Sequence, residues 1–167
     1  MSFNFSKNKF HMMGVINITP NSFSDANLLK SCDDTLKKIE DLYSSGCRVF
    51  DFGAESTAPF NDMVLEKEEL DRLGLLFVPL LKKFDFSDCV ISIDTYKPNV
   101  FKYCYEEIRK EFKDVCIIWN DVSGVLDNET IRLVKSLSDA YYCYSHTNCP
   151  TKDKTSLHMD YVSRGDI

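Results

Sequence analysis

Apolar residues along this chain gather in short β-branched or aromatic runs. Each run is followed by a longer stretch in which apolar positions recur every three or four residues. The first run opens MGVINITPNSFSD at residues 13–25; it is strand-like and stops at Asn17, where a polar loop containing Pro20 and Phe23 begins. Residues 33–45 place Leu36, Ile39, Leu42 and Tyr43 at helical spacing, with Asp33 or Asp34 as the cap and Gly46 just past the end. A short strand over residues 47–53 (CRVFDFG) precedes a second helical pattern, EKEELDRLGLLFVPLLKKF, whose acidic start suits a helix N-terminus. Pro79 within it predicts a kink or an early end. Residues 89–95 (CVISIDT) read as a strand, and residues 97–112 as a helix with Pro98 near its entrance. Residues 115–121 (VCIIWND) repeat the strand, a shorter helix covers 129–137, and DAYYCYSH at 139–146 is a fifth, less regular run.

Strand and helix therefore alternate four times before one more strand. Such alternation predicts parallel strands joined by helical crossovers. Near-continuous apolar strands require cover on both faces, as in a barrel or a doubly wound sheet. The final stretch, residues 148–167, is polar and predicts loop with one short helix. No fixed-period repeat, low-complexity tract or Pro/Gly/Ser linker interrupts the 167 residues, a length suited to a single domain over 1–167.

Composition narrows the class. Hydrophobic residues at 44% and charged residues at 28% describe an ordinary globular chain. A formal charge of -6 without a dense Lys/Arg cluster argues against nucleic acid as a partner. The seven Cys have no paired spacing, and the N-terminal MSFNFSKNKF has neither a secretory pattern nor an apolar run of membrane-spanning length. Reduced thiols, a cytoplasmic location and no membrane partner are the expectation.

Candidate chemistry sits where the strands stop: Asn17, Asp51, Asp94 and the pair Asn120 and Asp121. In a parallel α/β fold these ends point the same way, so the groups converge on one side. Any single one of them is explained as a helix cap or a satisfied loop side chain. Four at equivalent positions are better explained as a site.

The strings around those ends, MGVINITPNSFSD, DFGAESTAP, ISIDTYK and IWNDVSG, follow one another in the order of the dihydropteroate synthase motifs, and the chain resembles that family over roughly residues 12–124. YSHTNCPTK faintly resembles the segment after the fifth strand. The resemblance implies an α/β protein of the (β/α)8 TIM-barrel type, present here as an incomplete barrel of about five βα units. It also implies a reaction in which p-aminobenzoate displaces pyrophosphate from a pterin methylene carbon, with Mg²⁺ as cofactor. By the same resemblance Asp94 is the catalytic carboxylate that holds the pterin, and Asn120 hydrogen-bonds the pterin edge, an amide being donor and acceptor at once. Asn17 is the metal-associated residue, and Thr57 is a hydroxyl near the leaving group. Thr19, Pro20, Ser22 and Phe23 build part of the p-aminobenzoate site, where Phe23 could supply an aromatic wall, and Asp51 looks like an orienting group that supports the residues touching substrate.

Two departures qualify the activity. The family's Glu-Ser-Thr-Arg-Pro is here Glu55, Ser56, Thr57, Ala58, Pro59, which removes a guanidinium suited to pyrophosphate, and the first loop has Asn21 where the family has Asp. The family's later motifs, a second pterin Asp, a Lys and an Arg/His pair, find no match in residues 147–167. A pterin-binding module without synthase activity, and a half-barrel that closes as a homodimer or with a complementing chain, are the rival expectations.

Other residues carry blander expectations. Cys143, His146 and Cys149 lack the spacing and number of a structural zinc site. His11 and His158 are expected at the surface or at a strand edge, Trp119 in the core, and the acidic run Glu66–Asp71 on a solvated helix face. No phosphate-binding glycine motif occurs.

Overall fold

A computed structural model describes residues 10–18, 25–55 and 63–146, with the side chains of 25–30 outside the description. Its elements are β1 (Met13–Asn17), α1 (Asp25–Ser44), β2 (Val49–Gly53), α2 (Glu66–Lys83), β3 (Val90–Asp94), α3 (Pro98–Glu111), β4 (Cys116–Asp121), α4 (Asn128–Ser136) and β5 (Ala140–Tyr144). The five strands are parallel and lie in chain order, β1-β2-β3-β4-β5. A doubly wound sheet reverses its strand order partway, whereas a barrel adds each strand beside the last. The order observed is that of a barrel, left incomplete.

One face of the sheet is packed. Ile16, Phe50, Phe52, Ile91, Ile93, Ile117 and Trp119 alternate along their strands and are buried against Leu73, Leu76, Phe77, Leu80, Val100, Phe101 and Ile108 of α2 and α3. Burying each such side chain contributes about 1.5–3 kcal/mol, so this layer holds the helices to the sheet. Trp119 stacks on Phe101 with ring centroids 4.8 Å apart and donates its Nε1 to the Thr95 carbonyl at 2.7 Å. The expectation of burial on both faces holds for β2 and β3 but not for β1 and β5, where alternate residues are exposed. Among the described residues, the inner wall of the incomplete barrel is exposed at its two end strands.

Several boundaries differ from the sequence expectation. α1 begins at Asp25, so Asp33 and Asp34 lie inside the helix and cap nothing; Asp33 instead pairs with Lys83 of α2 at 2.9 Å. The helix ends as expected at Gly46, whose φ of 93° permits the Tyr43 and Leu42 carbonyls to accept from Gly46 and Cys47. α2 runs through Pro79 to Lys83. The carbonyl deprived of a donor belongs to Leu75, whose residue is exposed. α4 starts at Asn128, capped by the Asp127 side chain, which accepts from the Thr130 N–H at 2.8 Å.

Candidate functional site

Strand register turns the separate strand ends into one row. Asn17 pairs with Gly53, Gly53 with Asp94, Asp94 with Asn120, and Asn120 with Cys143. Two residues earlier, and hence on the same face, run Val15, Asp51, Ser92, Ile118 and Tyr141. Both rows lie on the face away from the packed layer, the inner wall of the partial barrel at the carboxyl ends of its strands.

A buried polar network fixes the middle of this wall. The Ser92 hydroxyl donates to Asp51 Oδ1 at 2.5 Å, and the Asn120 amide donates to both Asp51 oxygens at 3.4 Å. Asp51 and Ser92 are buried, whereas Asn120 is half-buried. An amide whose N–H group is held from behind presents its carbonyl side outward with a defined orientation. Asp94, half-buried, stands next to Asn120 in the row. Gly53 makes its space, because a Cβ at that position would lie 3.3 Å from Asp94 Oδ2 and 3.4 Å from its Cβ.

The adjacent acids at the end of β4 separate in role. Asp121 points to the opposite face and is fully buried, accepting from the Ser123 N–H and the Tyr142 hydroxyl, each at 2.9 Å. Burial first, then the Asp121 carboxylate, push the Tyr142 phenol well above its ordinary pKa, so it remains a donor. Asp121 is thus a loop and strand tie, and Asn120 alone of this pair faces the site.

Asn17 sits exposed at the β1 end of the row, with the following Ile18 N–H bonded to the Gly53 carbonyl at 2.8 Å. One neutral oxygen is a weak metal ligand, and no group of three or more His, Cys, Asp or Glu able to hold a metal occurs among the described residues. Thr19, Pro20, Ser22, Phe23 and Thr57, together with Ala58, Asn21, Cys149 and His158, lie outside the described residues. Cys143 and His146 are exposed beyond the network, as is His11.

One constellation escaped the sequence reading. Glu55, just past β2, and Glu69, on α2, both bond the Lys97 ammonium at 2.5 Å, and all three are buried. The acidic run on α2 is therefore not a solvated face throughout: Glu69 turns inward at the helical period, and Arg72, three residues on, donates to the Ala54 carbonyl at 2.7 Å. Burial raises the Glu69 carboxyl above its ordinary pKa, against the pull of Lys97 and Thr95. Burial also works against the Lys97 charge, but its bonds to Glu55 and Glu69 outweigh it and hold the ammonium pKa above the usual lysine value. The signal was a charged residue within a few positions of two strand ends.

Comparison with known proteins agrees with this fold. A family model described as "Pterin binding enzyme" matches residues 13–164. The folate synthesis bifunctional protein of Arabidopsis thaliana is 32% identical over 167 residues, covering 96% of this chain and 32% of that protein. The dihydropteroate synthase of Clostridium beijerinckii is 31% identical over 149 residues, covering 88% of this chain and 51% of the relative. In three dimensions the chain resembles the dihydropteroate synthase of Anaplasma phagocytophilum, solved with bound 6-hydroxymethylpterin-monophosphate. That likeness has a TM-score of 0.68 at 28% identity, over 81% of this chain and 48% of the other. The chain spans about a third to a half of the length of these relatives.

Proposed function

The chain belongs to the pterin-binding enzyme family, and on that premise we propose that its inner wall is the pterin side of a dihydropteroate synthase-type site. The observation that carries this reading is the Asp51–Ser92–Asn120 network, which orients an amide directly beside the Asp94 carboxylate. A pterin presents donors and acceptors along one edge. Asn120 meets such an edge with its carbonyl, which accepts from a pterin N–H, and Asp94 accepts a ring N–H while favouring positive charge that develops at the methylene carbon.

In the reaction proposed, the p-aminobenzoate nitrogen forms a bond to that carbon as the carbon–oxygen bond to pyrophosphate breaks. The electron pair leaves with pyrophosphate, and the amine gives up a proton. Thr57 would meet the leaving group, while Thr19, Pro20, Ser22 and Phe23 would line the p-aminobenzoate side. Magnesium, when bound at Asn17, would neutralise pyrophosphate charge. Among the described residues no helix is long and apolar enough to cross a membrane.

Calorimetry with 6-hydroxymethylpterin tests the site. Binding by the wild-type chain should weaken by about tenfold or more in Asp94→Ala and in Asn120→Ala, the loss typical of a hydrogen bond to a buried or charged group. Undiminished binding in both variants sinks the assignment. With p-aminobenzoate, pterin pyrophosphate and Mg²⁺, little or no turnover is expected from this chain by itself, because Ala58 replaces the pyrophosphate-binding Arg. A second reading, a half-barrel completed by association, is favoured by Val15 and Tyr141, which stand 46% and 59% exposed on the inner wall.

A further inference from the structure

Lys97 joins three parts of the chain at one nitrogen. It follows Asp94 by three residues at the exit of β3 and immediately precedes Pro98, the first residue of α3. Its ammonium meets Glu55 Oε2, two residues beyond Gly53 at the exit of β2, and Glu69 Oε2 in the amino-terminal part of α2. The other Glu55 oxygen accepts from the Val64 N–H at 3.2 Å and from the Tyr96 hydroxyl at 3.5 Å. Arg72 grips the neighbouring Ala54 carbonyl. The ammonium also stands 4.5 Å from the centre of the Tyr96 ring, an added cation–π contact.

Such a cluster is a poor way to gain stability. Two carboxylates and one ammonium buried together carry desolvation that their attraction does no more than offset, and a well-packed apolar set of similar volume would hold the fold as firmly. The ionic set confers a defined geometry. Short charge-assisted bonds tolerate little displacement, and here they run between the exits of the two strands whose ends bear Gly53 and Asp94.

We infer that Lys97 is a positioning residue of the pterin site: its bridge from Glu55 to Glu69 holds the exit of β2 against the exit of β3 and so sets where the Asp94 carboxylate stands. Lys97 itself touches no reacting atom in this scheme. The inference rests on the pterin reading given above.

Two measurements on the purified full chain separate the inference from that reading. Amide hydrogen exchange reports the clamp without ligand, since the Ile18 N–H bonds the Gly53 carbonyl, the Thr95 N–H the Asn120 carbonyl and the Val64 N–H the Glu55 carboxylate. In Lys97→Met, these three amides should exchange about tenfold faster or more while Phe52 and Ile93 within the strands keep their protection. Affinity for 6-hydroxymethylpterin should fall about tenfold or more, as expected when a supporting contact lets a binding group drift. Lys97→Arg, which retains the charge and can reach both acids, should recover most of both effects. Where Lys97→Met does not fold, Glu55→Gln serves, with the same local pattern expected.

Uniformly faster exchange throughout the strands, or unchanged exchange at the three amides, overturns the inference. So does unchanged pterin affinity in Lys97→Met when the wild type binds. If the wild-type chain binds no pterin, the functional reading falls, and the exchange pattern still decides whether Lys97 holds the strand exits.

Discussion

Gly53 stands beside Asp94 across the β2–β3 ladder, and its missing side chain is what leaves room for the carboxylate. In Gly53→Ala the new methyl would meet Asp94 Oδ2 at 3.3 Å, closer than ordinary van der Waals contact, so the carboxylate must shift by a few tenths of an ångström. We predict a loss of stability of about 1 kcal/mol, within the usual range for single substitutions, and a several-fold weaker affinity for 6-hydroxymethylpterin. Thermal melts and calorimetry read the two effects separately. Affinity equal to the wild type would mean that the Asp94 position is not critical. At this scale the sequence disclosed residue types at strand ends but not their neighbours. Asp51 and Asn120 are 69 positions apart and meet by register, and Glu69 looked like one more surface acid until the helix turned it inward.

Between elements, Arg109 near the end of α3 ties that helix end to the starts of β4 and β5. Its guanidinium donates to the Phe112 and Val115 carbonyls ahead of β4 and pairs with Asp139 at the start of β5 at 3.0 Å. The Tyr105 hydroxyl, one turn earlier, donates to the same carboxylate at 2.6 Å. The Tyr105 bond, with Arg109 reinforcing it against burial, holds the Asp139 carboxyl below the usual carboxylate range. A pKa lower when folded than when unfolded stabilises the fold above the unfolded value, and that contribution is lost as pH falls through the folded one. The side chain is about half exposed, so solvent screening limits the effect to under about 1 kcal/mol. Urea midpoints should show Asp139→Asn less stable than wild type at pH 7, with the gap closing as pH drops from about 4 downward. A gap independent of pH would assign the contact to packing.

At the scale of the whole sheet, β1 and β5 are its two end strands among the described residues, and the inner wall carries exposed apolar side chains beside each. β1 carries exposed Met13 and Val15, and β5 carries exposed Tyr141, although Lys38 of α1 occupies the Val15 carbonyl at 2.7 Å and so covers one edge acceptor. Apolar side chains on an unpaired edge favour association with another chain. Sedimentation at micromolar concentration should find the protein as a dimer or larger, and Val15→Lys, which places a charge on that wall, should shift it toward monomer. A monodisperse folded monomer would remove the half-barrel reading.

Alternating runs, strand-end polar groups and ordered motifs were enough to establish parallel βα units and the family, and to put Asn17, Asp94 and Asn120 at strand ends, because period and local chemistry are written along the chain. Helix boundaries were less legible. Asp33 has the composition of a cap and became a partner for Lys83, and Pro79 was tolerated because the residue whose carbonyl loses its donor, Leu75, is exposed. Tertiary structure alone decided which of Asn120 and Asp121 faces the site, and the meeting of Glu55, Lys97 and Glu69. Each of these depends on which strands become neighbours and in what register, a long-range pairing that no local pattern encodes.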